Sequence, residues 1–338
     1  MLRAVSNAVR TACARSRVLA ALIVGALAIA GVAPGHTASG DGLSDRTITI
    51  MVPFSASTGL DVMARMVGEE LSKRWGQPVI IKNVTGASGV IGTEQVARAE
   101  PDGHTILFTA TSYALNAVFN KNLPYDPIKD FRAIIEMARA TWSLAVNPSF
   151  PAQTAKEFVD YVKANPGKVS YATPGMATPH YLAMELLKAR EKLDMVHIPY
   201  GGQAQAVTDV LGGHVPAMVF PTHTALPFAR DNKLRMLGVF ADKRVDIAPD
   251  LPTMAEQGYP VSIDVWYGFL APGKTPTAIV EKYNKAIDEI MQLPKVREVL
   301  ASQGLVVTGG TPEQLDSLVK SQIVEWGKVI EEAKIPGR

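Results

Sequence analysis

Four short turns rich in glycine, serine and threonine contain the residue types best suited to chemistry. They are residues 53–59, 109–112, 171–178 and 199–203, and each follows a predicted β-strand. Turns of this kind expose backbone N–H groups and hydroxyls, which bind anions at a helix N-terminus without a fixed positive charge. Ordinary turn and capping chemistry explains any one of them alone. Four in one chain predict an anion site.

Motifs typical of enzymes and metal sites are missing from the sequence. No serine fits the Gly-x-Ser-x-Gly elbow of a hydrolase, and there is no Walker A, Gly-x-Gly-x-x-Gly or His-Glu-x-x-His motif. No two histidines have metal-ligand spacing. His180, in a first helical turn, suits a capping or supporting role better than that of a base, and Trp266 and Tyr267 suit core or hinge packing. These observations weaken an enzymatic function without excluding it, and they predict no cofactor.

The first 38 residues are predicted to be a signal peptide, cleaved between positions 30 and 40. Four arginines precede a short apolar run at residues 18–30, and small residues follow it. A membrane anchor is the alternative, but the run is short for a spanning helix and a Gly/Pro/Ser-rich segment follows directly. The single cysteine, Cys13, precedes the run, so the exported protein would contain no disulfide.

Without the predicted signal peptide, the chain has 30 basic and 32 acidic residues, because four of its 34 basic residues lie in the first 40 positions. A net charge of −2 gives the exported protein no general attraction to nucleic acid or anionic lipid. At 47% hydrophobic residues over 338 positions, the chain suits two well-cored domains.

Apolar periodicity predicts two series of alternating strands and helices, which is typical of α/β proteins with parallel sheets. The first series has strands at 47–52, 79–81 and 105–108 and helices at 59–75 and 89–99. An apolar segment at 131–147 follows. The second series has helices at 154–164, 178–189 and 203–211 and strands at 169–173, 195–199, 215–220 and 234–240. A strand at 261–270 leads into two C-terminal helices. The pattern does not decide between two independent domains and two lobes joined by two chain crossings.

From residue 47 to the C-terminus, the sequence resembles the Bug (TctC-like) family, the extracytoplasmic receptors of tripartite tricarboxylate transporters. The matching segments are 50–54, 61–65, 76–83, 101–105, 123–131, 146–148, 164–168, 197–201, 266–272 and 309–313. The resemblance implies an α/β, two-lobed periplasmic binding protein (type II-like). Each lobe would be a mainly parallel sheet flanked by helices, with the chain crossing twice. Lobe 1 is expected at 45–141 plus 255–338, and lobe 2 at 142–254.

The resemblance also implies a carboxylate held by loops, hydroxyls and waters in the cleft between the lobes. Carried over by position, and joined by the turn at 109–112, the expected ligand contacts are Phe54, Ser55, Ala56, Ser57, Thr58, Gly59, Asp61, Thr111, Ser112, Thr173, Gly175, Met176, Thr178 and Gly201. Asp61 also suits a plain structural role, as a favourable charge in a first helical turn.

Two departures from the family pattern affect the ligand. Ser57 and Thr58 occupy positions where the family usually has glycines, and Met176 is bulkier than the small polar residues common in its loop. Met176 favours an apolar or aromatic ligand body. The leading hypothesis is a monomeric periplasmic receptor that delivers an organic, amino or aromatic acid to a transporter of the tripartite tricarboxylate type. The alternative is a ligand sensor that docks a two-component histidine kinase without transport.

Overall fold

The computed structural model describes Leu43 and residues 45–336, so the predicted signal peptide lies outside the described residues. The strands are β1 (Ile48–Val52), β2 (Val79–Asn83), β3 (Thr105–Ala110), β4 (Phe131–Ala140), β5 (Trp142–Val146), β6 (Val169–Thr173), β7 (Met195–Pro199), β8 (Ala217–Pro221), β9 (Arg235–Val239), β10 (Val265–Pro272) and β11 (Val306–Val307). The helices are α1 (Gly59–Trp75), α2 (Val90–Ala97), α3 (Ser112–Phe119), α4 (Ala155–Ala164), α5 (Pro179–Glu191), α6 (Gln203–Leu211), α7 (Thr222–Arg230), α8 (Thr277–Met291), α9 (Pro294–Ser302) and α10 (Pro312–Glu332).

The strands form two sheets, which confirms the predicted two-lobed α/β architecture. The first sheet has the order β11-β4-β10-β3-β1-β2 and the second the order β7-β6-β8-β5-β9. The chain passes from the first sheet to the second between β4 and β5, at Thr141, and returns between β9 and β10. The apolar segment at 131–147, which looked continuous in sequence, is thus two strands in different sheets.

Both sheets are mixed rather than mainly parallel. β1 is parallel to β2 and β3, whereas β10 is antiparallel to β3 and β4. Likewise β6 is parallel to β7 and β8, whereas β5 is antiparallel to β8 and β9. The reason is the double crossing. β5 and β10 each enter their sheet from the other lobe, so they run against the strands beside them.

Helices cover the first sheet on both faces, as the alternation of its strand residues requires. Ile50 and Phe108 face a core shared with α1 and α8, whereas Met51 and Leu107 face a second core shared with α10. The strand residues of the second sheet also alternate between two apolar cores, and Leu144 faces one of them. Each lobe therefore has its own pair of apolar layers.

The limits of the lobes, as residue numbers, stay a prediction. The strands of the first sheet lie within 48–140 and 265–307, and those of the second within 142–239. Met254 and Tyr259, after the last strand of the second sheet, share a core with its strands. Ile330 and Ile335 at the C-terminal end of the chain join that same core. The last helix therefore packs on both lobes.

Three helices were not predicted from sequence, and each has a local reason. α7 contains Pro227 in its interior, a strong helix-breaking signal. α3 has buried residues around most of its surface and so lacks a one-sided apolar stripe. α9 is a nine-residue helix between α8 and α10, so three C-terminal helices stand where two were expected. Among the described helices, none is long and apolar enough to cross a membrane.

A buried glutamine joins α10 to the returning strand. Gln322, the one polar residue in the apolar stripe of α10, accepts a 2.8 Å hydrogen bond from the indole nitrogen of Trp266 in β10. Its amide nitrogen donates to the carbonyl of Asp264 at 3.3 Å. Trp266 is completely buried, so its N–H has no access to solvent.

We expect Gln322→Met to lower the free energy of unfolding by about 1–3 kcal/mol, because it leaves a buried indole N–H without a partner. Urea unfolding measures the loss, and Ser321→Ala on the exposed face of α10 is the control. Equal stability of the Gln322 variant and the parent would show that this hydrogen bond does not anchor the helix.

Candidate ligand-binding site

A cavity of about 400 Å³ lies between the two sheets, at the carboxyl ends of β1, β3, β6, β7 and β8. Its volume is within the range of small-molecule sites. Nine of the fourteen predicted contacts line it: Phe54, Ser55, Thr58, Gly59, Ser112, Gly175, Met176, Thr178 and Gly201. Their role in ligand binding stays a prediction, but the structure brings these residues from both lobes to one cavity.

The two lobes approach each other at the rim of this cavity. A Cβ atom built on Gly202, at the N-terminus of α6, would lie 3.5 Å from Ser55 Oγ in the loop after β1. A Cβ built on Gly59 would lie 3.6 Å from His223 Nε2 at the start of α7. An added methyl group at either glycine would thus be in van der Waals contact across the rim, so the two lobes lie close together there.

Asp61 orders the loop after β1 rather than lining the cavity. Its side chain is 5% exposed, accepts a 2.9 Å hydrogen bond from the backbone N–H of Ser57 and pairs with Arg65 at 2.9 Å. Burial acts to raise the pKa of Asp61, but the hydrogen bonds from Arg65 and Ser57 outweigh it, and the pKa is lowered. The Thr58 hydroxyl adds a 2.9 Å bond to the carbonyl of Ser55. The loop is therefore fixed by its own hydrogen bonds.

The loop after β6 is held in a similar way. Thr178 caps α5, with its hydroxyl oxygen accepting from the N–H of Tyr181, and donates a 2.7 Å bond to the carbonyl of Gly175. The Gly175 N–H donates to Thr173 Oγ1 at 3.1 Å, and Thr173 Oγ1 lies 2.6 Å from His197 Nε2. Gly175 has φ 141°, a backbone region that favours glycine.

Five predicted contacts do not line the cavity. Ala56 and Ser57 are exposed at the outside of their loop, because the Ser57 N–H turns inward to Asp61. Asp61 and Thr173 are buried beneath the loops and bind them, as described above. Thr111 is buried at the second crossing, where its hydroxyl oxygen accepts from the N–H of Trp266 at 2.9 Å. These five are not among the residues that line the cavity, and their direct contact with a ligand stays a prediction.

Several lining residues were missed as ligand contacts. Trp142, at the start of β5, lines the cavity, as do Tyr267 and His180, which sequence reasoning had placed in packing and supporting roles. His223 lines it because α7, also missed, begins there. The turn at 85–89, in which four successive residues have positive φ, was also missed. Its two glycines, Gly86 and Gly89, were a usable signal in the sequence.

The electrostatics of the cavity come from neutral groups. None of the described lining residues is Asp, Glu, Lys or Arg. Burial lowers the pKa of His180 to about 3 and that of His223 to about 4, so both rings are neutral at pH 7. The N-termini of α1, α6 and α7 reach the cavity without side-chain caps. Free N–H groups and aligned peptide dipoles at such ends attract negative charge.

We expect Asp61→Asn to lower the free energy of unfolding by about 1–2 kcal/mol at pH 7 and to weaken ligand binding, because the loop after β1 loses its anchor. The contribution of a carboxylate with a lowered pKa is present above its ordinary value of 3.8 and is lost as the pH falls below it. Denaturant unfolding of parent and variant should therefore converge toward pH 3.

Ser57→Gly is the matched control for this loop. It keeps the N–H that Asp61 accepts and relieves the positive φ of 63° at Ser57. Its stability should equal or exceed that of the parent by up to about 1 kcal/mol, with unchanged affinity. A loss as large as that in Asp61→Asn would contradict the assignment of Asp61 as the anchor.

Acidification is expected to destabilise the protein through the neutral histidines that line the cavity. With a folded pKa held near 4, His223 contributes stability that is complete above its ordinary pKa of 6.5 and is lost as the pH falls toward 4. Between pH 7 and pH 5 this loss is about 1–2 kcal/mol. His223→Gln should show a flatter dependence of unfolding free energy on pH in urea titrations. If the unfolding free energy of the variant depended on pH as steeply as that of the parent, His223 would not be the cause of the loss.

Comparisons with known proteins agree with the geometry. The family model of the tripartite tricarboxylate transporter family receptor (TctC) matches residues 63–335. A "UPF0065 protein in tcbD-tcbE intergenic region" of Pseudomonas sp. (strain P51) is 33% identical over 315 residues, which cover 91% of this chain and 94% of that protein.

Two solved structures share the fold. The periplasmic binding protein BugD is 32% identical with a TM-score of 0.82, over 87% of this chain and 100% of that one. MatC from Rhodopseudomonas palustris, with bound malate, is 31% identical with a TM-score of 0.80, over 84% of this chain and 99% of that one. Family and fold are those of solute-binding receptors rather than enzymes. The chain belongs to the tripartite tricarboxylate transporter receptor family, which includes the TctC and Bug proteins.

Proposed function

We propose that this protein captures a small carboxylate in the periplasm, closes its two lobes around it and delivers it to a membrane transporter of the tripartite tricarboxylate type. The observation that carries the proposal is the cavity, where helix N-termini from both lobes meet in a wall without formal charge. A buried anion needs hydrogen-bond donors, and these helix ends supply them. The malate bound to the related MatC supports a carboxylate as the ligand class.

Closure supports a capture-and-release function. Ser55 and Gly59 belong to the first lobe, and the residues that lie close to them, Gly202 and His223, belong to the second. A ligand that contacts both sides of this rim stabilises the closed form, because only that form presents both sets of groups together. A transporter subunit that recognises the closed form would then select the loaded receptor.

The ligand is testable with a panel of organic, amino and aromatic acids in a thermal-shift assay on the exported protein. A bound acid should raise the stability by about 2.7 kcal/mol at a hundredfold excess over its Kd. Gly201→Phe is expected to abolish the shift without unfolding the protein. Gly201 lines the cavity, and a Cβ built on it meets no heavy atom within 4 Å.

Gly327→Phe is the matched control, because a Cβ there also meets nothing within 4 Å and Gly327 does not line the cavity. It should keep the full ligand-induced shift. Absence of any shift across the panel would contradict carboxylate binding. If an acid binds but cells lacking the receptor take it up at an unchanged rate, the transport half of the proposal is wrong.

A further inference from the structure

The ring of His197 contacts two tyrosine rings beneath the loop after β6. In the register of the second sheet, His197 in β7 is the partner of Tyr171 in β6. The His197 ring stacks on the Tyr171 ring, with centroids 5.1 Å apart and an angle of 26° between the ring planes. The centroid of the Tyr181 ring, in α5, lies 4.8 Å from that of His197. Contacts with both aromatic neighbours restrict the rotation of the imidazole.

A buried ion pair holds the first of these tyrosines in place. The Tyr171 hydroxyl donates a hydrogen bond to the carboxylate of Glu185, which also accepts a 2.6 Å bond from the ammonium group of Lys188. The side chains of Glu185 and Lys188 are only 8% and 16% exposed. Because a buried pair of charges needs further hydrogen bonds to be satisfied, the Tyr171 hydroxyl and the pair hold each other in position. The His197 ring therefore stacks on a fixed surface.

The hydrogen bonds around Thr173 show where its hydroxyl hydrogen points. Thr173 Oγ1 accepts from the N–H of Gly175 at 3.1 Å and has one hydrogen of its own to donate. The two acceptors within reach are His197 Nε2 at 2.6 Å and the Gly175 carbonyl at 3.3 Å. That carbonyl already accepts a 2.7 Å bond from the Thr178 hydroxyl. His197 is thus the nearer acceptor, and the Thr173 hydroxyl donates to it.

This direction of donation fixes the tautomer of His197. A ring nitrogen that accepts is unprotonated, so the proton of the neutral ring lies on Nδ1. Burial lowers the pKa of His197 to about 4, while the charges of Glu185 and Lys188 act on this pKa in opposite directions. The ring is therefore neutral at pH 7, and its Nε2 is free to accept.

We propose that His197 is a positioning residue for the ligand: its Nε2 accepts from the Thr173 hydroxyl and thereby holds the peptide of Gly175, which lines the cavity. The inference rests on the proposed carboxylate binding and adds a residue that is not itself among those lining the cavity. Without this acceptor, the Thr173 hydroxyl would turn toward the Gly175 carbonyl and compete there with Thr178.

Nitrogen NMR of the exported protein at pH 7 tests the tautomer without any ligand. We expect an unprotonated Nε2 and a protonated Nδ1 on His197, and the loss of these signals in His197→Gln assigns them. A protonated Nε2 would overturn the inference, because His197 would then donate to Thr173 instead of accepting from it.

Three substitutions of His197 separate positioning from packing. His197→Phe keeps a ring to stack on the tyrosines but has no acceptor. His197→Gln can place its amide oxygen near the position of Nε2, whereas the shorter side chain in His197→Asn reaches only that of Nδ1. Isothermal titration calorimetry uses malate, adipate and benzoate, and compares the variants with the probe that binds the parent most tightly. We expect its affinity to fall about fivefold in His197→Phe and His197→Asn and to be kept in His197→Gln.

His214→Phe is the matched control, since His214 is an exposed histidine of the same lobe and does not line the cavity. It should leave the affinity unchanged. In Thr173→Val, which has no hydroxyl, adding His197→Phe should weaken binding no further, because His197 acts through that hydroxyl.

Full affinity in His197→Phe, equal losses in His197→Gln and His197→Phe, or additive losses in the double variant would each overturn the inference and leave carboxylate binding intact. If none of the three probes binds the parent and no other acid shifts its melting temperature, the proposed function fails together with the inference.

Discussion

The direction of the strands is the constraint on which the cleft depends. In each sheet the parallel strands end at the cleft, and the strand that arrives from the other lobe runs the opposite way, as does the two-residue β11 at the edge of the first sheet. Each helix that follows such a strand therefore begins at the cleft, with its free N–H groups facing the same space. The double crossing thus produces a pair of lobes whose helix ends oppose each other across one cavity.

A wall without formal charge suits a receptor that must release its ligand. Buried ion pairs are costly to break, whereas backbone N–H groups and neutral rings hold an anion with many moderate interactions. Asp61 is an example of a charged residue that lies outside the cavity wall. Its carboxylate, paired with Arg65, orders the loop that lines the cavity but does not line it itself. Beneath the loop after β6 the support comes from neutral groups instead, because Thr173 and His197 hold Gly175 through hydrogen bonds.

Much of the fold followed from sequence, because strands such as β6 and helices such as α1 have strong local patterns. The predicted bounds of α1, β6 and α6 match the structure. The site was harder to predict. Local composition identified the turns, but it did not show that the Ser57 N–H turns toward Asp61 or that Thr111 binds the crossing strand. Trp142 could not be predicted as a residue of the cavity wall, because its position depends on where the chain crosses from one lobe to the other.

The proposed function requires that neutral groups in the cleft recognise a carboxylate by its charge. The most direct measurement compares the affinity of the acid that binds best with that of its primary amide, which has nearly the same shape and no charge. We expect the amide to bind at least about tenfold more weakly, because charge-assisted hydrogen bonds are about twice as strong as neutral ones. Equal affinities would show that the cavity recognises the apolar body alone and would contradict the proposed function.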